Sequence, residues 1–271
     1  MADDGSTDRS AELVQSTFPG VRLLRGPFGG ASQARNAALR VASGTLVAFL
    51  DADDLWYPDH LARSVALLEC SGESAYASHF DRLDERGNRV PVGRPTGFDQ
   101  VRTKLNLGDY LEAFQRGLPN SSGTYLIKRE TLASVGGFDS AQLRANDFDL
   151  WLRVIKQSTW CYDPHCAMSY RIRNQGNLSA DVASRSYFRL RALVRLRAAG
   201  ASDTGALGAL IRYWATQAVR TAATRGSDDD WNRALELAAE DIPGFQLALW
   251  RTVRGLRGRF GNLISPGGAR G

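Results

Sequence analysis

The apolar run Leu46-Val47-Ala48-Phe49 ends directly in Leu50-Asp51-Ala52-Asp53-Asp54. A buried strand closed by clustered carboxylates delivers negative charge to one edge of a sheet, and in open α/β sheets ligands bind at that carboxyl edge. Asp51, Asp53 and Asp54 repel one another unless a cation or hydrogen-bond donors neutralise them. Such a set of oxygen ligands selects a hard cation, Mg²⁺ or Mn²⁺, shared with the phosphates of a nucleotide. The plain alternative is a capped turn, since Asp also starts helices and Pro58 opens one shortly afterwards.

Three further segments give this cluster a context. Asp3-Asp4-Gly5-Ser6-Thr7-Asp8 is a loop of turn formers leading into a helix, with Ser6 or Thr7 as its N-cap. Gly29-Gly30-Ala31-Ser32-Gln33-Ala34-Arg35-Asn36 opens a second helix, and glycines ahead of a helix N-terminus let backbone approach phosphate or sugar closely. Gly136-Gly137-Phe138-Asp139 precedes Asn146-Asp147-Phe148-Asp149-Leu150-Trp151-Leu152-Arg153.

Between these segments the pattern alternates. Helices are predicted over residues 8–17, 32–42, 58–69, 108–116 and 147–157, and strands over 21–25, 45–50, 75–80, 123–127 and 167–171. This alternation is the α/β signature. Residues 84–101, with Gly87, Pro91, Gly93, Pro95 and Gly97, read as an irregular excursion. From about residue 180 onward the pattern is helical throughout, which predicts an α/β domain over 1–180 and a helical accessory region over 181–271.

In this order the segments resemble the family 2 glycosyltransferases, enzymes of the GT-A fold. That pattern runs strand, Asp-Asp-Gly-Ser-x-Asp, Gly-x-x-x-Ala-Arg-Asn, Leu-Asp-x-Asp-Asp, Gly-Gly-Phe-Asp, Glu-Asp and a Leu-Trp-x-Arg helix, and the chain follows it from residue 3 to about residue 180. The resemblance implies a Rossmann-like, mixed and mostly parallel sheet flanked by helices. Two departures stand out. The family's first strand and helix have no counterpart, so the expectation is a shortened, less stable chain whose natural start lies upstream. Asn146 stands where the family has Glu, while the following Asp147 is kept.

What the resemblance implies for chemistry is inverting transfer of a sugar from a nucleotide diphosphate to a hydroxyl on a cell-surface polysaccharide or glycolipid acceptor. Asp53 would ligate the metal, Asp51 contact the ribose or support the metal, and Asp3 accept from the base N–H. Asp54 is either a further support of the metal or an N-cap, and Asp4 is assigned to the turn. Gly30 belongs to the loop approaching the nucleotide sugar. Arg35 either counters phosphate charge or forms an ion pair across the fold. Asp147 is the general base, and also a candidate N-cap for its helix; Asn146 removes a like charge beside it. Trp151 is either core or sugar platform. Arg171 and Arg173 either clamp the leaving diphosphate or form a basic surface loop.

Composition separates the remaining classes. No run of 18 or more apolar residues exists and the N-terminus is polar from Asp3 onward, so neither a membrane span nor a signal peptide is expected. Three cysteines without metal spacing suit a reducing cytoplasm. The three scattered histidines argue against a zinc site or a Ser-His-Asp triad. Between Val182 and Arg225 stand Arg185, Arg189, Arg191, Arg195, Arg197, Arg212, Arg220 and Arg225 against a single acid, Asp203. The last helix places Phe245, Leu249, Val253, Leu256 and Phe260 on one face and Arg251, Arg254 and Arg257 opposite. Such a segment either packs on the protein or lies on an anionic membrane, the latter fitting a lipid-linked acceptor. Nucleic-acid binding, suggested by the pI of about 9.3, lacks a motif or stacking platforms. The alternative to an active enzyme is an inactive remnant that serves as a binding or structural protein.

Overall fold

The apolar run ahead of the carboxylates is strand β3 (Leu46–Ala48) in a computed structural model that describes residues 1–172, 182–202, 205–225 and 227–260. The chain divides into two compact units, Met1–Asn177 and Leu178–Gly271.

The first unit opens with β1 (Ala2–Asp3), which pairs in parallel with β2 (Leu24–Arg25) across helix α1 (Ser10–Thr17). Neither Ser6 nor Thr7 caps α1: the Ser6 amide turns back to Asp3 Oδ1 at 2.9 Å, and Asp8 Oδ1 accepts from Ser10 instead. Helix α2 (Ala31–Val41) leads to β3, then β4 (Leu55–Trp56), α3 (His60–Ser71) and the long central strand β5 (Ala75–Leu83). Short strand β6 (Arg89–Val90) lies within the irregular excursion and β7 (Arg102–Leu105) follows it. Helix α4 (Leu107–Gln115), β8 (Tyr125–Lys128), α5 (Arg129–Ser134), α6 (Asn146–Gln157) and β9 (Trp160–Arg171) complete the unit.

The main sheet is mixed, in the order β3-β8-β5-β9-β4, with β6 on β5 and β7 on β9. Strands β3, β5 and β9 run in one direction, and β8 and β4 run against them. Strand β5 is buried along almost all of its length because helices cover both faces. Strand β9 is longer than the predicted 167–171. Asp163-Pro164-His165 break the apolar pattern, but Asp163 still pairs with Ser78, and two irregularities against β5, on either side of His79, loop out Pro164-His165 and then Ala167, so that pairing resumes at Cys166 and Met168. Strand β4 is a further addition: two residues carry no period for a sequence pattern to reveal.

The core is an aromatic network. Trp151 of α6 stacks on Tyr125 of β8 with centroids 4.1 Å apart and meets Trp160 of β9 edge-on at 5.6 Å. Tyr110 of α4 touches both Trp151 and Trp160. Truncating a fully buried aromatic of this kind costs about 3–5 kcal/mol, so these contacts fix where α6 begins. His60 and His79 are buried in this unit, and burial pushes the His60 imidazole down to about 4.

The second unit contains α7 (Val182–Ala198), α8 (Gly205–Arg225), α9 (Asp228–Ala238) and α10 (Gly244–Phe260). Leu190, Leu193, Leu207, Ile211, Ala215 and Val219 are buried in it. Much of its basic charge is spent internally. Arg197 makes a bidentate pair with Asp241, Arg189 lies 4.6 Å over the Trp214 ring, and Arg254 pairs with Asp228 and donates to the Ala222 carbonyl. The expected division of α10 is therefore corrected at one position. Arg254 is turned inward by its carboxylate and carbonyl partners, whereas Leu249 is exposed. The side chains of Phe245, Leu256, Arg257 and Phe260 lie outside the described residues. No described helix is long and apolar enough to cross a membrane.

The Gly-Gly-Phe-Asp turn supplies a stability test. Gly136 and Gly137 both have positive φ, at +74° and +68°, but only at Gly137 would a Cβ meet another group, Asn36 Oδ1 at 2.6 Å. Gly136→Ala should cost about 1–2 kcal/mol from backbone strain alone. Gly137→Ala should cost at least about 1 kcal/mol more, because it also displaces Asn36 from the Phe138 backbone. Urea unfolding of the two variants checks the difference.

Candidate active site

Strand β3 delivers its chain to the turn Asp51-Ala52-Asp53-Asp54, closed by Asp54 N–H donating to the Asp51 carbonyl at 3.1 Å. The two outer carboxylates face different surroundings. Asp51 is partly exposed and pairs with Arg35 Nη2 at 2.5 Å. Asp54 is buried and accepts from the Arg171 backbone N–H at 3.0 Å, while Arg171 Nε donates to the Asp53 carbonyl. Desolvation, with the charges of Asp51 and Asp53 adding to it, pushes the Asp54 carboxyl up to about 6. Arg171 thus braces the acidic turn, and Arg173 lies outside the described residues.

Arg35 projects from α2 and joins several parts of the unit. Its Nη1 donates to Asn146 Oδ1 at 3.3 Å, its Nη2 holds Asp51, and its guanidinium lies 5.2 Å over the Phe138 ring. Ser32 and Asn36 extend the same helix face: Ser32 Oγ accepts from Asn146 Nδ2, and Asn36 clamps both the N–H and the carbonyl of Phe138. Asn146 therefore takes a neutral role, accepting from Arg35 and donating to Ser32.

Asp147 follows Asn146 in the first turn of α6, where backbone N–H groups and the helix dipole favour a carboxylate. It is not the N-cap. That position is Ala145, held at φ 51° in the left-handed region, and Asp147 Oδ1 accepts from Phe148 N–H at 2.8 Å. Backbone strain in a non-glycine residue directly before two polar residues is typical of a site whose side chains must be aimed. Trp151, one turn on, is fully buried against Tyr125 and belongs to the core, so it offers no sugar platform.

Asp3 is buried at the end of β1. It accepts from Ser6 N–H, and its Oδ2 faces Arg25 Nε at 3.3 Å. The Ser6 hydrogen bonds and the Arg25 charge hold its carboxyl below the ordinary range. Gly30 sits at φ 124° with its N–H given to Asp4 Oδ2 at 2.6 Å, a partner the sequence did not indicate. The structure thus ties Asp51, Arg35 and the first turn of α6 together directly, and braces Asp53 and Asp54 through Arg171.

Among the described residues no group of three or more His, Cys, Asp or Glu side chains is arranged to hold a metal ion by itself. The acidic turn nevertheless fits a shared cation. It presents oxygen atoms only, and the Asp51 and Asp53 charges that add to the desolvation of Asp54 are what a divalent ion would offset.

Residues 1–132 match the model for glycosyl transferase family 2. The uncharacterized glycosyltransferase YibD of Escherichia coli K12 is 51% identical over 215 residues, covering 72% of this chain and 60% of that protein. The amylovoran biosynthesis glycosyltransferase AmsB of Erwinia amylovora is 30% identical over 175 residues, covering 58% of this chain and 53% of that protein. The chain thus spans between half and two thirds of these relatives. Among solved structures, TarS 1–349 of S. aureus in complex with UDP-GlcNAc superposes with a TM-score of 0.65 at 16% identity, over 96% of this chain and 81% of that one. The mannosyltransferase PcManGT of Pyrobaculum calidifontis, in complex with GDP-Man and Mn²⁺, gives 0.54 at 19% identity, over 96% and 76%.

The buried Asp54 makes a pH-dependent prediction. Its folded-state value of about 6 lies above the ordinary 3.8. The native state therefore holds this proton where the unfolded chain has lost it, so the stability involved is present below about pH 4 and is lost as pH rises through 6. Asp54→Asn keeps an acceptor for Arg171 and removes the buried charge. In EDTA it should raise Tm by about 3 °C or more at pH 7.5 and leave it unchanged near pH 4. Thermal denaturation at the two pH values checks the sign.

Proposed function

We propose, from the match of residues 1–132 to glycosyl transferase family 2 and from the GT-A fold, that the chain transfers a sugar from a nucleotide diphosphate donor to a hydroxyl acceptor with inversion. The observation that carries the proposal is the direct linkage, through Arg35, of the acidic turn at Asp51 to Asn146, the residue before Asp147 in the first turn of α6. Asp53, beside Asp51, would hold Mg²⁺ or Mn²⁺, which when bound would supply positive charge for the donor diphosphate. Arg35 lies where it can exchange part of its contact with Asp51 for a donor phosphate, a role suited to a guanidinium with several donors. Asp3 at the end of β1 supplies the carboxylate for the base, and Arg171 and Arg173 belong to the diphosphate side.

Asp147 is the general base. Its carboxylate sits on the positive end of α6, with Oδ1 anchored to Phe148 N–H, so the side chain is oriented before the acceptor arrives. It takes the acceptor hydroxyl proton as that oxygen attacks the anomeric carbon opposite the leaving diphosphate. One displacement inverts the configuration. The acceptor is a saccharide or lipid-linked hydroxyl in cell-surface polysaccharide or glycolipid synthesis. The reading places the protein in the cytoplasm, with peripheral contact at an anionic membrane through α10. Exposed Leu249 and Arg251 are compatible with that contact.

Asp147→Asn keeps the size of the side chain and an acceptor for Phe148 N–H. It should leave Tm and nucleotide affinity close to wild type and lower transfer, or slow hydrolysis of the donor, by about 10³-fold. Proton NMR of the product should show the anomeric configuration opposite to that of the donor. A retained configuration, or full activity in Asp147→Asn, contradicts the mechanism.

A further inference from the structure

Asp4 carries a set of contacts that the catalytic scheme does not use. Its carboxylate accepts three consecutive backbone N–H groups: Oδ1 from Phe28 at 2.5 Å and Gly29 at 3.0 Å, and Oδ2 from Gly30 at 2.6 Å. Gly29 and Gly30 hold φ at +87° and +124°. Successive N–H groups turned to one side by such residues form a concave anion receptor, and the positive end of α2 adds to it. Gly30 caps α2 without a side chain of its own, so Asp4 caps that helix from the other end of the β1–β2 segment.

The glycine loop was expected to approach the nucleotide sugar. The geometry points to a different division of labour, which rests on the nucleotide-sugar reading of the site. We infer that Asp4 is a positioning residue: its carboxylate permanently fills the anion nest ahead of α2 and couples the Asp3 half of the donor site to the Arg35 half. Asp3 is its chain neighbour in β1. From α2, Arg35 reaches Asp51 and Asn146, Ser32 reaches Asn146, and Asn36 holds Phe138. The β1–β2 pairing is only two residues long, so the three carboxylate bonds are a substantial part of what sets α2 against β1. Gly30 then acts through its backbone shape, with its N–H committed to Asp4 in place of phosphate.

Asp4 is exposed, so a small carboxylate from solvent can reach the nest once the side chain is removed. The experiment measures the affinity of UDP, GDP, dTDP and CDP, with Mn²⁺, for wild type, Asp4→Ala and Gly30→Ala. Each is assayed with and without sodium formate at constant ionic strength, and folding is checked by melting. For the nucleotide that wild type binds, Asp4→Ala should lose about tenfold in affinity and recover most of it in formate. Gly30→Ala distorts the nest with Asp4 still present, and should show a loss that formate does not restore. Uridine or the corresponding nucleoside alone should bind wild type and Asp4→Ala alike, because the base side is intact and only its coupling to the phosphate side is lost.

A loss in Asp4→Ala that formate leaves unchanged, or no loss at all, overturns the inference while the donor reading stands. If Asp4→Ala fails to fold even in formate, an unaltered affinity in Gly30→Ala overturns it instead. Wild type binding none of the four nucleotides overturns the donor reading and the inference with it.

Discussion

The structure around the acidic turn depends on one guanidinium. Arg35 is largely covered, and it contacts the end of the β3 turn at Asp51, the start of α6 at Asn146 and the Phe138 ring. Each contact alone is modest. Together they fix three chain segments that are far apart in sequence, and a planar donor with several N–H groups can serve all three at once, as an ammonium cannot. The neighbouring α2 side chains Ser32 and Asn36 repeat the pattern with neutral hydrogen bonds. Helix α2 is thus a strut whose one face organises the site.

Asn146 is best understood from this arrangement. A carboxylate there would pair with Arg35 and compete with Asp51 for it. The amide instead splits its two ends, accepting from Arg35 and donating to Ser32. The network stays connected, and Arg35 keeps its full charge interaction for Asp51. Burial, with the neighbouring Asp51 and Asp53 charges adding to it, pushes the Asp54 carboxyl up to about 6, so negative charge is crowded at this turn, and a divalent cation would relieve it.

The α/β alternation, the acidic turn at the end of an apolar strand, and the helix after Gly30 were all legible in the sequence, because each rests on local periodicity or on a residue type with few conformational choices. What was not legible depends on partners distant in the chain. Strand β9 hides its first half because Pro164 interrupts the pattern, and only its irregular pairing with β5 absorbs the interruption. Trp151 at helical spacing from Asp147 looks equally suited to a sugar or to a core until Tyr125 and Trp160 are seen against it. Arg254 reads as a solvent-facing base until Asp228 and the Ala222 carbonyl turn it inward. Asp4 reads as a turn residue, and nothing local announces that its carboxylate ends on three amides more than twenty positions away.

The central claim is that the acidic turn and the Arg35 strut form a metal-dependent site for a nucleoside diphosphate. Thermal denaturation of this chain with UDP, GDP, dTDP and CMP, each with and without Mn²⁺, tests it most directly. The account predicts a rise in Tm for one diphosphate that requires Mn²⁺ and disappears when Asp53 is replaced by Ala. A cooperative melt that none of the nucleotides shifts, with or without the metal, would contradict it.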